Sequence, residues 1–251
     1  MNKYKHIIFD LDDTLLDFQD TEEQALKEII TLYNLPYNKQ TIACYKGIND
    51  GLWSQLEEGL ISREKVLKTR FSLFLKEFQI DESGSKVEAM YREHLNQGHS
   101  TITHATELLD TLSGQGYKLY IGTNGVGNTQ RKRLADSKLQ GYFEDIFISE
   151  EIGHEKPNAL FFQHILDTLN ASHKEEFLMI GDRLSSDIKG ALNIGMDCVW
   201  FDRKKSQPDP FAPQSTYTVS NLMEIAALLE GELTEMSRQT PDTNPTRCWS
   251  G

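Results

Sequence analysis

Apolar positions along the chain fall into two regimes. Near the start, Ile7-Ile8-Phe9 is an unbroken apolar run, which predicts a strand buried on both faces within a parallel sheet. From residue 17 to residue 98 the spacing becomes helical. Leu26, Ile29, Ile30 and Tyr33 share one face behind a capping pair, Asp20 and Glu23. Ile42 and Tyr45 mark a second helix, broken by Gly47-Ile48-Asn49-Asp50-Gly51, and Leu52, Trp53 and Leu56 mark a third. Ser62 is placed to cap a longer helix carrying Val66, Leu67, Arg70, Phe71, Phe74 and Phe78. After the Ser83-Gly84-Ser85 loop a further helix carries Val87, Met90, Tyr91, His94 and Leu95. Aromatic residues at these spacings read as the core of a helical bundle.

Beyond Thr101 short apolar runs alternate with helical ones. Strands are predicted at 117–122, 145–148, 177–180 and 197–201. Helices fall between them, one carrying Leu160, Phe161, Ile165 and Leu169 with Pro157 in its first turn, another at 186–193. A helix at 222–229 closes the series. This alternation predicts an α/β fold, a doubly wound parallel sheet of Rossmann-like type with an inserted all-helical domain. The boundaries expected are 1–16 and 99–230 for the α/β core and 17–98 for the helical insert. Residues 231–251 are rich in Thr, Pro, Ser and Asn and lack periodicity, so they read as a disordered tail in which Cys248 and Trp249 have no evident role.

Charge narrows the class of partner. With 26 basic and 38 acidic residues the formal charge is -12, which argues against a nucleic acid polymer, whose binding rests on many basic phosphate contacts. A small anionic substrate remains compatible if a metal and a few lysines supply local positive potential. Met1 to His6 lead straight into the first strand, without the apolar segment of a signal peptide, and no apolar run approaches a membrane span. Cys44, Cys198 and Cys248 are widely spaced and lack a metal-ligand pattern, so they read as reduced thiols. The expected setting is cytoplasmic, with no membrane partner, as a monomer or a homodimer.

The chemistry gathers where strands end. Asp10 and Asp12 close the first strand two residues apart, so an extended backbone sends both carboxylates the same way. Two carboxylates about 4 Å apart repel by roughly 4 kcal/mol at an effective dielectric near 20; a cation, a shared proton or water must relieve that. Thr123-Asn124-Gly125 ends the second strand, Lys156-Pro157 begins the helix after the third, and Gly181-Asp182, with Asp187 beyond, ends the fourth. In a parallel sheet all four clusters converge on one edge, where open α/β sheets bind ligands. They supply what phosphoryl transfer to a carboxylate requires, since that reaction depends on positioning and charge neutralisation. An oxygen-only group of Asp10, Asp182 and Asp187 suits Mg²⁺. Lys156, the Thr123 hydroxyl and backbone N–H groups around Asn124 and Leu11 to Asp12 suit phosphate oxygens. Asp10 is placed to attack phosphorus and Asp12 to move the proton. The wider metal set expected is Asp10, Asp12, Asp182 and Asp187.

Asp10-Leu11-Asp12-Asp13-Thr14, Thr123-Asn124-Gly125, Lys156-Pro157 and Gly181-Asp182 through Asp187 together resemble the four signatures of the haloacid dehalogenase-like hydrolase superfamily. The helical insert resembles that superfamily's cap, between its first and second motifs. Asn49-Asp50-Gly51-Leu52-Trp53, Gln130 with Arg133-Leu134, and Ser149-Glu150-Glu151-Ile152-Gly153 resemble its pyrimidine 5′-nucleotidases, which act on ordinary and modified nucleoside monophosphates. The resemblance covers residues 1 to about 230. It implies a Mg²⁺-dependent phosphomonoester hydrolase acting through an aspartyl phosphate on a small phosphorylated substrate, most closely a nucleoside monophosphate. Asp12 is the residue associated with phosphatases and phosphomutases rather than dehalogenases. Trp53 is placed to stack on a base or to fill the cap core, and Asn49 to bond a base edge or ribose. Other readings are a sugar-phosphate phosphatase or phosphomutase and, from a different class, a non-catalytic phosphate-binding module; intact Asp10 and Asp12 speak against the last.

Overall fold

The computed structural model describes residues 3–206 and 209–231. At its centre is β1, His6–Phe9, the strand anticipated from the first apolar run. To one side lie β2, Lys118–Thr123, and β3, Asp145–Ile148; to the other lie β4, Phe177–Gly181, β5, Asp197–Phe201, and β6, Tyr217–Val219. The order is β3-β2-β1-β4-β5-β6 and every pairing is parallel.

Parallel strands need crossovers, and the crossover helices cover both faces. Ile7 and Phe9 of β1 join Leu119, Ile121, Leu178, Ile180 and Val199 on one face. Leu108 and Leu112 of α5, Ala105–Gly114, and Ile225 and Leu229 of α10, Met223–Glu230, pack there. Ile8, Tyr120, Met179 and Cys198 face the other way, against Phe161, Phe162 and Ile165 of α8, Ala159–Thr168, and Ala191 of α9, Lys189–Asn193. Alternate residues of one strand therefore feed two separate cores, so a one-residue slip in register would exchange them. After β1 the chain winds to β2 and β3, then returns past β1 to β4. That reversal opens a crevice between the carboxyl ends of β1 and β4, the topological switch point where such sheets bind ligands. Asp10 stands at its lip, its N–H donating to Ile180 O at 2.8 Å.

Four helices lie between β1 and α5: α1, Phe18–Leu32, α2, Lys39–Glu57, α3, Arg63–Lys76, and α4, Gly84–Leu95. Their apolar stripes meet in a core of their own. The Tyr45 and Phe71 rings are 5.3 Å apart and those of Phe71 and Tyr91 4.9 Å. These aromatics are bundle core, as their spacing predicts. Among the described residues no helix is long and apolar enough to cross a membrane.

Local readings need correction in five places. Asp17, not Asp20, caps α1, accepting from Asp20 N; Glu23 instead takes the Tyr37 hydroxyl at 2.9 Å. The two helices expected on either side of Gly47 to Gly51 are one, α2. Each glycine costs about 1 kcal/mol of helix propensity relative to Ala, and tertiary packing overrides it. Tyr45, Asn49, Leu52 and Leu56, spaced four, three and four apart, are buried along one side. Pro157 stands before its helix, whose cap is Asn158, accepting from Leu160 N at 2.9 Å. The segment expected as a helix at 186–193 is a π-helical turn, Leu184–Ile188, running into α9. The sixth strand, β6, was not foreseen; at three residues it is too short to show an alternation. Of the expected tail, 232–251 and with it Cys248 and Trp249 lie outside the described residues. Cys44 and Cys198 are free thiols.

A Cβ at Gly47 or Gly51 meets nothing within 4 Å. If α2 is continuous, Gly47→Ala and Gly51→Ala each raise stability by about 0.5–1 kcal/mol, seen as a higher urea midpoint. A drop in the midpoint for both would mean that the helix is interrupted there.

Candidate active site

Lys156 is the hub of the crevice. Although 1% exposed, it carries an ammonium group inside the protein. Its Nζ donates to Asp10 Oδ1 at 2.7 Å, Asp187 Oδ1 at 2.6 Å and Gly122 O at 2.6 Å, which uses all three of its hydrogens. Burial by itself would lower its pKa; Asp10 and Asp187 outweigh that and hold it above the usual lysine range. The loop carrying it is clamped by Asn124, whose Nδ2 donates to Lys156 O at 2.8 Å and whose Oδ1 accepts from Lys156 N at 2.9 Å. The Asn124 side chain is thus spent on holding Lys156, and only its backbone remains for a phosphate role.

Asp182 and Asp187 come from the turn after β4. The Asp182 carbonyl accepts from Trp200 Nε1 of β5 at 2.9 Å. Arg183 N donates to Asp187 Oδ2 at 3.0 Å, so the π-helical turn aims Asp187 back at the strand end. A side chain at Gly181 would collide with the Asp187 carboxylate, which is the physical need behind the Gly-Asp pair.

Asp10, Asp182 and Asp187 each bring a carboxylate oxygen within 4.8 Å of the others. Three carboxylates around one lysine leave two negative charges uncompensated when all are ionised. Burial raises the Asp10 pKa to about 7; Lys156 opposes this, and Asp187 and Asp12 add to it. Burial, then Asp10 and Asp187, push Asp182 well above the carboxylate range. A cluster that resists its own ionisation, built of oxygen donors alone, fits a hard divalent cation that retains several waters, as Mg²⁺ does.

Asp12 stands apart from that cluster. Both its oxygens are engaged by α6, Gly127–Asp136: Oδ1 in an ion pair with Arg133, Oδ2 by Gln130 Nε2 at 2.7 Å. Of the four carboxylates expected to hold metal, the structure brings three together and turns the fourth towards a guanidinium. Arg133 is fully buried, with Nε on Gly98 O at 2.8 Å and its guanidinium 5.3 Å from the Phe18 ring centroid. Gln130 also donates to the Thr123 hydroxyl at 2.9 Å. A Cβ at Gly125 would come within 2.5 Å of the Gln130 side chain, so the glycine after Thr123-Asn124 makes room for it.

These groups open on one cavity of about 130 Å³. The α/β layer contributes Asp10, Asp12, Thr123, Lys156, Asp182 and Asp187; the helical layer contributes Phe18, Glu22, Asn49, Trp53, Arg70 and Leu95. Polar bridges join the two layers around it. Glu57 of α2 takes Arg183 at 3.3 Å and the Ser185 hydroxyl at 3.0 Å. Arg63 of α3 pairs with Glu155 at 3.2 Å and bonds the Ser149 hydroxyl. Arg92 of α4 reaches the Thr129 hydroxyl at 3.2 Å. Sequence reasoning missed Arg70, Arg92, Glu57 and Glu22. Arg70 and Glu22 had a legible signal: each falls on an apolar helical stripe, Arg70 with Val66 and Phe74, Glu22 with Ala25 and Ile29.

Comparison with known proteins agrees with this geometry. The haloacid dehalogenase-like hydrolase family model matches residues 7–201. HAD-hydrolase YfnB of Bacillus subtilis is 41% identical over 236 residues, spanning 93% of this chain and 99% of YfnB. Pyrimidine 5′-nucleotidase PynA of Streptococcus pneumoniae is 36% identical over 232 residues, spanning 92% and 98%. Pyrimidine 5′-nucleotidase YjjG of Escherichia coli is 29% identical over 228 residues, spanning 90% and 98%. The crystal structure of magnesium-bound YfnB aligns with a TM-score of 0.85 at 39% identity, covering 91% of this chain and 99% of that one.

The crowding of carboxylates has a signature in chelator. A carboxyl whose folded pKa is raised binds its proton more tightly folded than unfolded, so stability falls as pH rises from the ordinary value near 4 towards 7. Thermal melts in EDTA are expected to show Asp10→Asn gaining on the wild type across that window. A difference that stays flat with pH would contradict the crowding.

Proposed function

The chain belongs to the haloacid dehalogenase-like hydrolase family and is a phosphatase, and on that premise we propose that it is a Mg²⁺-dependent nucleoside 5′-monophosphatase preferring pyrimidines. Residues 17–98 act as a cap over the core formed by 1–16 and 99–230. The observation that carries the reading is the unlike surroundings of two carboxylates two residues apart: Asp10 sits among Lys156 and the metal-type cluster, Asp12 against Arg133 and Gln130. Such division is what a nucleophile and a proton carrier need. The preference for pyrimidine nucleotides is supported by the names of PynA and YjjG.

Lys156 holds Asp10 Oδ1, which leaves Oδ2 as the attacking oxygen. Its bond to phosphorus forms as the bond to the nucleoside oxygen breaks, and Asp12 gives that oxygen its proton. Arg133 and Gln130 hold Asp12 in place for the transfer. Asp12 then takes a proton from water as the water's oxygen attacks the aspartyl phosphate, and phosphate leaves with Asp10 regenerated. The Thr123 hydroxyl and the Asn124 backbone receive the phosphate oxygens, and Lys156, its hydrogens held by Asp10, Asp187 and Gly122, lends positive charge beside them. Asp10, Asp182 and Asp187 would hold Mg²⁺, which supplies charge neutralisation to the phosphoryl group when bound.

Phosphate release from UMP, dUMP, dTMP, sugar phosphates and phosphoglycolate tests the substrate class. The highest kcat/KM is expected on a pyrimidine nucleotide; a sugar phosphate ahead of all nucleotides would remove the nucleotidase claim and spare the phosphatase. Asp10→Asn is expected to abolish turnover and phosphoenzyme, and Asp12→Ala to lower turnover by about two to four orders of magnitude while metal affinity persists. Magnesium at about a hundredfold over its Kd should stabilise the protein by about 2.7 kcal/mol. Loss of that shift in Asp182→Asn and Asp187→Asn would support the metal assignment; its survival in both would sink it.

A further inference from the structure

Glu22 is a buried charge that the mechanism leaves unused. It lies on α1 among Ala25, Leu26 and Ile29 and is 7% exposed, as is Glu88. Glu88 is gripped by Arg70 through bonds of 2.7 and 2.9 Å and bridged by Arg92. Glu22 has no ion pair among the described residues; its hydrogen bond is a long one, 3.4 Å from the Tyr91 hydroxyl. Burial pushes its pKa up, with Lys46 and Arg70 opposing. An unpaired buried carboxylate does nothing for stability, and this one faces the cavity that also holds Asp10.

Asn49 is its counterpart on α2. Arg70 donates to Asn49 Oδ1 at 3.0 Å, which leaves Nδ2 as the available end; its contact with Asp50 is 3.4 Å. The Arg70 guanidinium also lies 4.7 Å from the centroid of the Tyr91 ring, whose hydroxyl meets Glu22. Arg70 therefore fixes the Asn49 amide directly and packs on the ring whose hydroxyl reaches Glu22, placing a donor and an acceptor on the wall furnished by the helical layer. Trp53, Phe18 and Leu95 supply flat or apolar surface in the same cavity, which suits the faces of a heterocycle better than a sugar.

We infer that Glu22 and Asn49 read the polar edge of the base: the Glu22 carboxylate accepts a ring N–H while Asn49 Nδ2 donates to the adjoining carbonyl, the N3–H and its neighbour in uracil or thymine. Glu22 and Asn49 are specificity residues and Arg70 a positioning residue. This rests on the nucleotidase reading and adds to it the group that recognises the base. An ionised carboxylate is acceptor only, so a substrate whose ring N–H is methylated loses the bond and meets a clash.

The test compares kcat/KM for UMP, N3-methyluridine 5′-monophosphate and ribose 5-phosphate, using the full chain with Mg²⁺. The wild type is expected to favour UMP over the methylated analogue by tenfold or more. Glu22→Met keeps the volume and removes the acceptor. It is expected to lower the UMP to ribose 5-phosphate ratio about tenfold to a hundredfold and to bring the UMP to methyl-UMP ratio towards one. Its melting temperature should equal or exceed that of the wild type. Asn49→Ala gives a second variant, with the same fall in the ratio of UMP to ribose 5-phosphate. Preference for UMP over both comparators that survives Glu22→Met overturns the inference alone. Equal loss on UMP and its methylated analogue overturns it too, placing the contact on the ribose. A wild type that favours ribose 5-phosphate over UMP overturns the nucleotidase reading and this inference with it.

Discussion

One buried ammonium ion among crowded carboxylates is the constraint around which the site is built. Without Lys156, Asp10 and Asp187 would face each other with no protein cation between them, in a crevice where burial already disfavours their charge. Desolvating a lysine is costly as well, and it is tolerated because every hydrogen of its head has an acceptor. Much of the neighbouring structure serves that arrangement. Asn124 pins the lysine's backbone, β2 lends the Gly122 carbonyl, and the turn after β4 folds as a π-helix to present Asp187. Extra residues in a helical turn commonly mark functional sites because they re-aim a side chain without ending the helix.

The α/β framework was legible because a parallel sheet writes itself plainly: Ile7 to Phe9 and its companions are apolar without alternation, and their polar residues stand at one end. Legibility failed where tertiary packing outvoted local preference. Gly47 and Gly51 look like breaks, yet the face formed by Tyr45, Asn49, Leu52 and Leu56 carries α2 through them. The π-helical turn has no sequence signature of its own, and three-residue β6 is defined by its pairing with β5 rather than by its composition.

At the site, the sequence showed which residue types gather at the strand ends but not how they divide. Asp10 and Asp12 are equivalent on paper. Their difference comes from Arg133 and Gln130, more than a hundred residues away, which engage both oxygens of Asp12. Asn124 likewise gives no sign in the sequence that its side-chain amide grips the backbone of Lys156. In the helical layer the useful clue is discord: Glu22 and Arg70 interrupt apolar stripes, and a fold keeps a charge there only when something answers it.

Glu57 gives the assembly a further property. It is an α2 carboxylate that grips Arg183 and Ser185, and Arg183 in turn donates its N–H to Asp187. Any displacement of α2 from the strand ends would therefore remove two anchors from the very turn that shapes the acidic cluster. By linkage the dependence would run both ways: an occupant that strengthened the hold of that turn would strengthen the Glu57 contacts with α2 as well.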